Sequence, residues 1–202
     1  MEDFNVFEMM LFTLWIYLPG FLVNTFAMMW GKWLPKTGYG PWPIDGGRLH
    51  KDGNRILGDG KTWNGLIGGS ITSGLLCYLM TMIPENWVFI SPTEAATGWA
   101  ASAFLMGTFL GFTSLVGDST GSFFKRRRGM KREGNVSSKA PLLDTLPFAI
   151  SVFVFGQIFL TESAHGSREL ILPMVLLVVI TPVLHRSFNL IGYKIGWKDV
   201  PY

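Results

Sequence analysis

The chain has 202 residues, of which 49% are hydrophobic and 15% charged, and its formal net charge is +3. That length fits a single domain spanning residues 1–202, and so mild a basic excess argues against a nucleic-acid partner. The spread of the charge excludes an ordinary soluble domain: residues 9–31, 62–84, 95–117, 145–161 and 170–185 contain no Asp, Glu, Lys or Arg.

Each window suits a membrane crossing, which takes roughly 20 apolar residues in a helix. Lipid cannot partner backbone N–H and C=O groups, so the windows are expected to be helical. The fold class is therefore all-α, a polytopic membrane protein with five transmembrane helices at about 9–30, 63–84, 96–117, 142–161 and 169–187. The long connections at 31–62 and 118–141 are expected to be loops.

The first helix follows Glu2, Asp3 and Glu8 instead of a basic leader, and its apolar run is too long for a signal-peptide core. It is read as retained, with a bend at Pro19-Gly20. The connection after it is dense in turn formers: Pro41, Pro43, Asp45-Gly46-Gly47, Asp52-Gly53 and Asp59-Gly60. Gly60-Lys61-Thr62 echoes the end of a phosphate-binding P-loop, but Arg55 stands where that motif requires Gly, so a Walker site is rejected. What remains places Lys61, Thr62 and Asn64 at a helix start, where backbone N–H groups favour an anion. An ordered loop without a ligand is the equal alternative. The second helix holds Cys77, the only cysteine, so no disulfide forms within the chain.

The third window runs into Gly117, Asp118, Ser119, Thr120, Gly121 and Ser122, then Lys125, Arg126, Arg127, Arg128, Lys131 and Arg132. One reading is a charged membrane anchor, with Arg127 and Arg128 reaching headgroups. The other is a polyphosphate site. There the glycines admit a bulky anion, Arg gives forked phosphate contacts, Lys a point charge, and Asp118 a ligand for Mg²⁺. The Asp and Ser beside the cations favour the second reading, and Ser122 and Lys125 would share a face if the segment is helical. Asp144 follows Pro141 at the start of the fourth helix. It either compensates a helix N-terminus or joins Asp118, at similar membrane depth, around shared metal. His50, His165 and His185 show no zinc-site spacing.

Five crossings put sixteen of the seventeen basic residues on one side and Arg168 alone on the other. Positive loops mark the cytoplasm, so the N-terminus is expected outside the cell membrane. Both long connections and the C-terminus then face the cytoplasm, with Trp87 and Trp99 in an outer aromatic belt.

The run Gly117, Asp118, Ser122, Lys125, Arg126, Gly129, Lys131 and then Asp144 resembles the signature of the CTP-transferring membrane enzymes that make CDP-diacylglycerol. The five-helix layout and the stretch "DGGRLHKDGNRILGDGKTWNG" resemble their archaeal branch, the CDP-archaeol synthases, over nearly the whole chain. The resemblance implies transfer of CMP from CTP to 2,3-bis-O-geranylgeranylglycerol 1-phosphate, an isoprenoid ether-lipid phosphate, with Mg²⁺ and release of pyrophosphate. It implies Asp118 and Asp144 as metal-linked carboxylates, and Ser122, Lys125, Arg126 and Lys131 as triphosphate contacts. Arg55 or Lys61 would hold the lipid phosphate, with the cytosine near Asn64. The chain departs from the bacterial pattern at Arg132 and Pro147, where that pattern has Asp, and lacks its Pro-Gly-His-Gly-Gly stretch. A synthase for another lipid phosphate, a non-enzymatic scaffold and a transporter are the alternatives. The transporter would need ionisable groups deep in several helices.

Overall fold

The computed structural model describes residues 5–83, 100–130, 140–160 and 169–194. The expected Trp87 and Trp99 and the candidate ligand Lys131 lie outside them. The described residues form five α-helices, α1 Val6–Trp33, α2 Trp63–Met80, α3 Ala100–Arg127, α4 Pro141–Phe159 and α5 Ile171–Lys194, with a 3-10 turn at Leu34–Thr37. By length and composition, α1 with its 3-10 turn and Leu142–Phe159 of α4 suffice to cross a membrane, and α5 has a shorter apolar stretch, Ile171–Ser187.

α1 starts three residues before its charge-free window because Glu8 belongs to its cap. Asn5 Oδ1 accepts from Glu8 N at 3.0 Å, and Glu8 Oε2 accepts from Asn5 N at 2.9 Å, a capping box. The helix carries Pro19 internally, and the Pro19 carbonyl also accepts from Ser73 Oγ of α2 at 2.7 Å. α2 shares its largest interface with α3; α3 also packs on α4 and α1, while α5 closes against α4 and α1. The apolar core joins Phe12, Ile16 and Tyr17 of α1, Leu110 of α3, Val152 and Phe153 of α4, and Met174 and Leu177 of α5.

The main departure from the sequence expectation is α3. Its helix continues ten residues past the charge-free window, so "DSTGSFFKRR" is helix and not loop. The hydroxyls there do not break it: Ser119 and Thr120 donate back to the carbonyls of Leu115 and Val116, at 2.8 and 3.0 Å. Lys125, Arg126 and Arg127 occupy the last turn, where cations complement the helix dipole. Gly129 ends the helix in the left-handed region, φ 68°. Met130 N donates to Lys125 O at 3.0 Å and Gly129 N to Arg126 O at 3.1 Å, a Schellman closure.

Candidate functional site

Continuous helix fixes the geometry of the candidate residues on α3. Asp118, Ser122 and Lys125 are spaced by four and three, so they line one face over about two turns. Ser122 and Lys125 are buried. Lys125 Nζ donates to Asp144 Oδ1, and Lys61 Nζ donates to Asp118 Oδ2. Two carboxylates and two ammonium groups from three segments of the chain are thus gathered along one helix face, each acid with its own cation.

Asp144 reaches that face because α3 and α4 cross almost backbone to backbone. A Cβ on Gly117 would stand 2.5 Å from both Pro147 O and Ser151 Oγ, and one on Gly121 would strike Leu143 O. Pro147 has no N–H, so it leaves the Leu143 carbonyl without its usual helical donor. That oxygen faces Gly121, one residue before Asp144. The glycines predicted to admit an anion instead admit α4. Pro147, one of the two positions that depart from the bacterial pattern, sits in this crossing.

Lys61 is delivered by the 34–62 connection, whose hub is Asp45. Its carboxylate accepts from Arg55 Nε at 3.2 Å and Nη2 at 2.5 Å, and from the backbone N–H of Gly47, Leu57 and Gly58 at 3.1, 3.0 and 2.9 Å. Burial alone pushes the Asp45 carboxyl up, but Arg55 and the three N–H groups together hold it well below the usual carboxylate range. Arg55 reaches Asp59 as well, at 2.6 Å. Ile44 N donates to Lys61 O at 2.8 Å, which ties the base of the loop beside Lys61.

Three sequence-predicted residues are engaged in building this loop and its junction with α2. Arg55 is committed to Asp45 and Asp59 and does not stand ready for a lipid phosphate. Asn64 is buried, accepts from Trp42 N at 3.3 Å and donates to Tyr39 O at 3.2 Å, so both ends of its amide brace a turn instead of facing a base. Gly40, at φ 87°, packs against that amide too closely for any Cβ. Thr62 caps α2, its hydroxyl accepting from Gly65 N at 3.1 Å. Arg126 is half-buried in the last turn of α3. Arg127, read from sequence as a headgroup contact, turns back onto the loop, donating to Asp52 Oδ1 and Arg55 O at 2.6 Å each.

Sequence reasoning missed the Asp45 hub, the Arg127 contact and the purpose of the glycines. The glycines had a signal, the Gly-x-x-x-Gly spacing at 65/69, 107/111 and 117/121, which marks close helix crossings in membranes. Among the described residues no three His, Cys, Asp or Glu side chains gather as a metal cage.

The CarS-like family model, described as CDP-archaeol synthase, matches residues 6–202. The chain is similar to a CDP-archaeol synthase of Thermococcus gammatolerans, 37% identical over 193 residues and 96% of both chains. It is similar to one of Picrophilus torridus, 36% identical over 198 residues, covering 96% of this chain and 97% of the relative. A solved structure of an intramembrane enzyme for archaeal membrane lipid biosynthesis aligns with a TM-score of 0.58 at 26% identity, over 92% of this chain and 94% of that one.

Proposed function

Because the chain belongs to the CDP-archaeol synthase family, we propose that the acid and lysine pairs along α3 are where CTP meets an archaeal lipid phosphate. The chain is a CTP-dependent nucleotidyltransferase that forms CDP-archaeol in archaeal lipid biosynthesis. The observation that carries the site is the convergence of Lys61–Asp118 and Lys125–Asp144 on one face of one helix.

The proposed acceptor is 2,3-bis-O-geranylgeranylglycerol 1-phosphate. An oxygen of its phosphate monoester attacks the α-phosphorus of CTP in line. The bond from that phosphorus to the bridging oxygen breaks, and the electron pair leaves on pyrophosphate. The attacking oxygen is already anionic, so no general base is assigned. The work left to the chain is positioning and charge neutralisation. Lys61 and Lys125 exchange their carboxylate partners for oxygens of the CTP triphosphate, Lys61 in place of the lipid-phosphate contact expected from sequence, with Ser122, Arg126 and Lys131 as further phosphate contacts. Thr62 stays the cap of α2 beside them. Mg²⁺ binds through one or two carboxylates plus phosphate oxygens and water. Among the described residues Asp118 and Asp144 belong to no group of three His, Cys, Asp or Glu side chains, which fits that demand for few carboxylates, and a bound ion would offset charge on the nucleotide.

All five helices cross the cell membrane in this reading, with the N-terminus outside and the 34–62 connection and C-terminus in the cytoplasm. Exposed Trp33 and Trp63 flank that connection and exposed Trp42 lies within it, as an interfacial aromatic belt would have them. The test is transfer from labelled CTP to the lipid phosphate in vesicles with Mg²⁺. Asp118→Asn is expected to lower turnover by at least about 100-fold, the scale of removing one preorganised charge contact. Unchanged turnover would overturn the site, and equal use of ATP would overturn the cytidine assignment.

A further inference from the structure

We propose that Arg127 is a positioning residue that clamps the 34–62 connection across α3 and so sets where the Lys61 ammonium stands. The inference rests on the reading of Lys61 given above. Asp118 and Arg127 are nine residues apart in one uninterrupted helix. At about 100° per residue that is two and a half turns, so their Cβ atoms leave opposite faces of α3. The connection nonetheless touches both. Lys61 pairs with Asp118 on one face, while residues 50–55 lie against Phe123 and Arg127 on the other. The connection is therefore a strap around the helix, held at both ends.

The Arg127 end is built with several contacts. Nη1 donates to Asp52 Oδ1 at 2.6 Å, and Nη2 to Arg55 O at 2.6 Å and Asn54 O at 3.4 Å. The guanidinium lies over the Phe123 ring at 5.2 Å, and His50 meets the same ring edge-on at 6.2 Å. Only a planar, forked cation can bridge a carboxylate and two carbonyls while stacking on a ring. Although it lies within a basic run, the Arg127 side chain is only 17% exposed.

The grip is transmitted because the strap is stiff. Arg55, whose carbonyl Arg127 holds, is bound through its side chain to Asp45 and Asp59. Asp45 also fixes the amides of Leu57 and Gly58, and Ile44 holds the carbonyl of Lys61. Moving residues 52–55 therefore moves Lys61.

The test compares Arg127→Ala, Arg127→Lys, Asp52→Asn, Lys61→Met and Arg127→Ala/Lys61→Met in vesicles. Asp52→Asn removes the ion pair from the loop side while leaving the two carbonyl contacts and α3 intact, which guards against a folding defect in the arginine variant. Arg127→Ala and Asp52→Asn are expected to raise KM for CTP about 10-fold, the scale of one charged hydrogen bond, with KM for the lipid phosphate unchanged. Arg127→Lys restores only part, since an ammonium cannot fork. Amide exchange at Leu57 and Gly58 speeds up in both clamp variants. In the Lys61→Met background, Arg127→Ala is expected to add less than about twofold, because two residues acting through one contact are not additive. Multiplicative effects in the double variant, or an unchanged KM for CTP with Arg127→Ala and Asp52→Asn, would overturn the clamp alone. An unchanged KM for CTP with Lys61→Met would remove the site reading and the clamp with it.

Discussion

Lys125 is 7% exposed, and Asp144, which it holds, has a side chain 18% exposed, so each charge depends on the other for solvation. Breaking such a shielded pair from one side strands a charge and costs about 3 kcal/mol or more, whereas replacing both partners with neutral groups is far milder. That asymmetry separates a structural role from a chemical one. Lys125→Met is expected to lower the unfolding temperature in detergent clearly, and Lys125→Met/Asp144→Asn to recover most of it. Turnover is expected to stay lost in the double variant, because neither charge is then present to meet the nucleotide. Recovery of both properties together would mean that the pair only supports the fold. At this scale the sequence pointed to Asp118 and Asp144, which stand at the edges of apolar windows, and to Ser122 and Lys125 in the small-residue and basic run after Asp118. It did not reveal that Arg55 and Asn64 are spent inside the loop. Their partners Asp45, Asp59, Trp42 and Tyr39 are chosen by the path of the turns, which a charge pattern does not encode.

The element that decides the site is α3, and its two glycine faces explain why. Gly107 and Gly111 receive α2, while Gly117 and Gly121 receive α4. Small residues four apart let helices approach within backbone contact, where dispersion and weak hydrogen bonding replace the missing hydrophobic drive. The Leu143 carbonyl abuts Gly121, so even one methyl there must push α4 away at the turn that carries Asp144. Gly121→Ala is therefore expected to cut CMP transfer about 10-fold or more while the protein stays helical by circular dichroism. Gly129→Ala, which strains a helix closure far from the α4 crossing, is expected to cost only about 1 kcal/mol of stability. Equal loss of transfer in the two variants would show that the crossing does not aim Asp144. Among the described residues each of the five apolar windows overlaps a helix, as expected where a charge-free stretch has to satisfy its own backbone groups. The end of α3 was misread because polar, basic residues resemble a loop in composition. Gly129 after a cationic turn was the available stop signal.

For the whole molecule, α3 crosses the membrane in the proposed reading, and its length then sets the membrane level. Its 28 residues make a rod of about 42 Å, against a hydrocarbon core near 30 Å. One end must therefore protrude, and the basic end is the one that water and headgroups accept. The charge-free window 95–117 is long enough to fill the core and ends just before Asp118, which leaves Ser122, Lys125 and Arg127 at the level where soluble CTP and a lipid phosphate can both arrive. In the proposed reading the 34–62 connection therefore faces the cytoplasm and the start of α1 faces outward, in keeping with the cation distribution. Cys77 is buried, so a Cys77→Ser background can carry single reporters at Leu49, 62% exposed in the connection, and Phe7, 67% exposed at the start of α1. In right-side-out vesicles an impermeant maleimide is expected to label Phe7→Cys and spare Leu49→Cys, and inside-out vesicles are expected to reverse the result. Labelling of both in right-side-out vesicles and of neither in inside-out ones would make the number of crossings between them even. The strap and its lysine would then be placed away from the nucleotide, on the wrong side of the membrane for the proposed reaction.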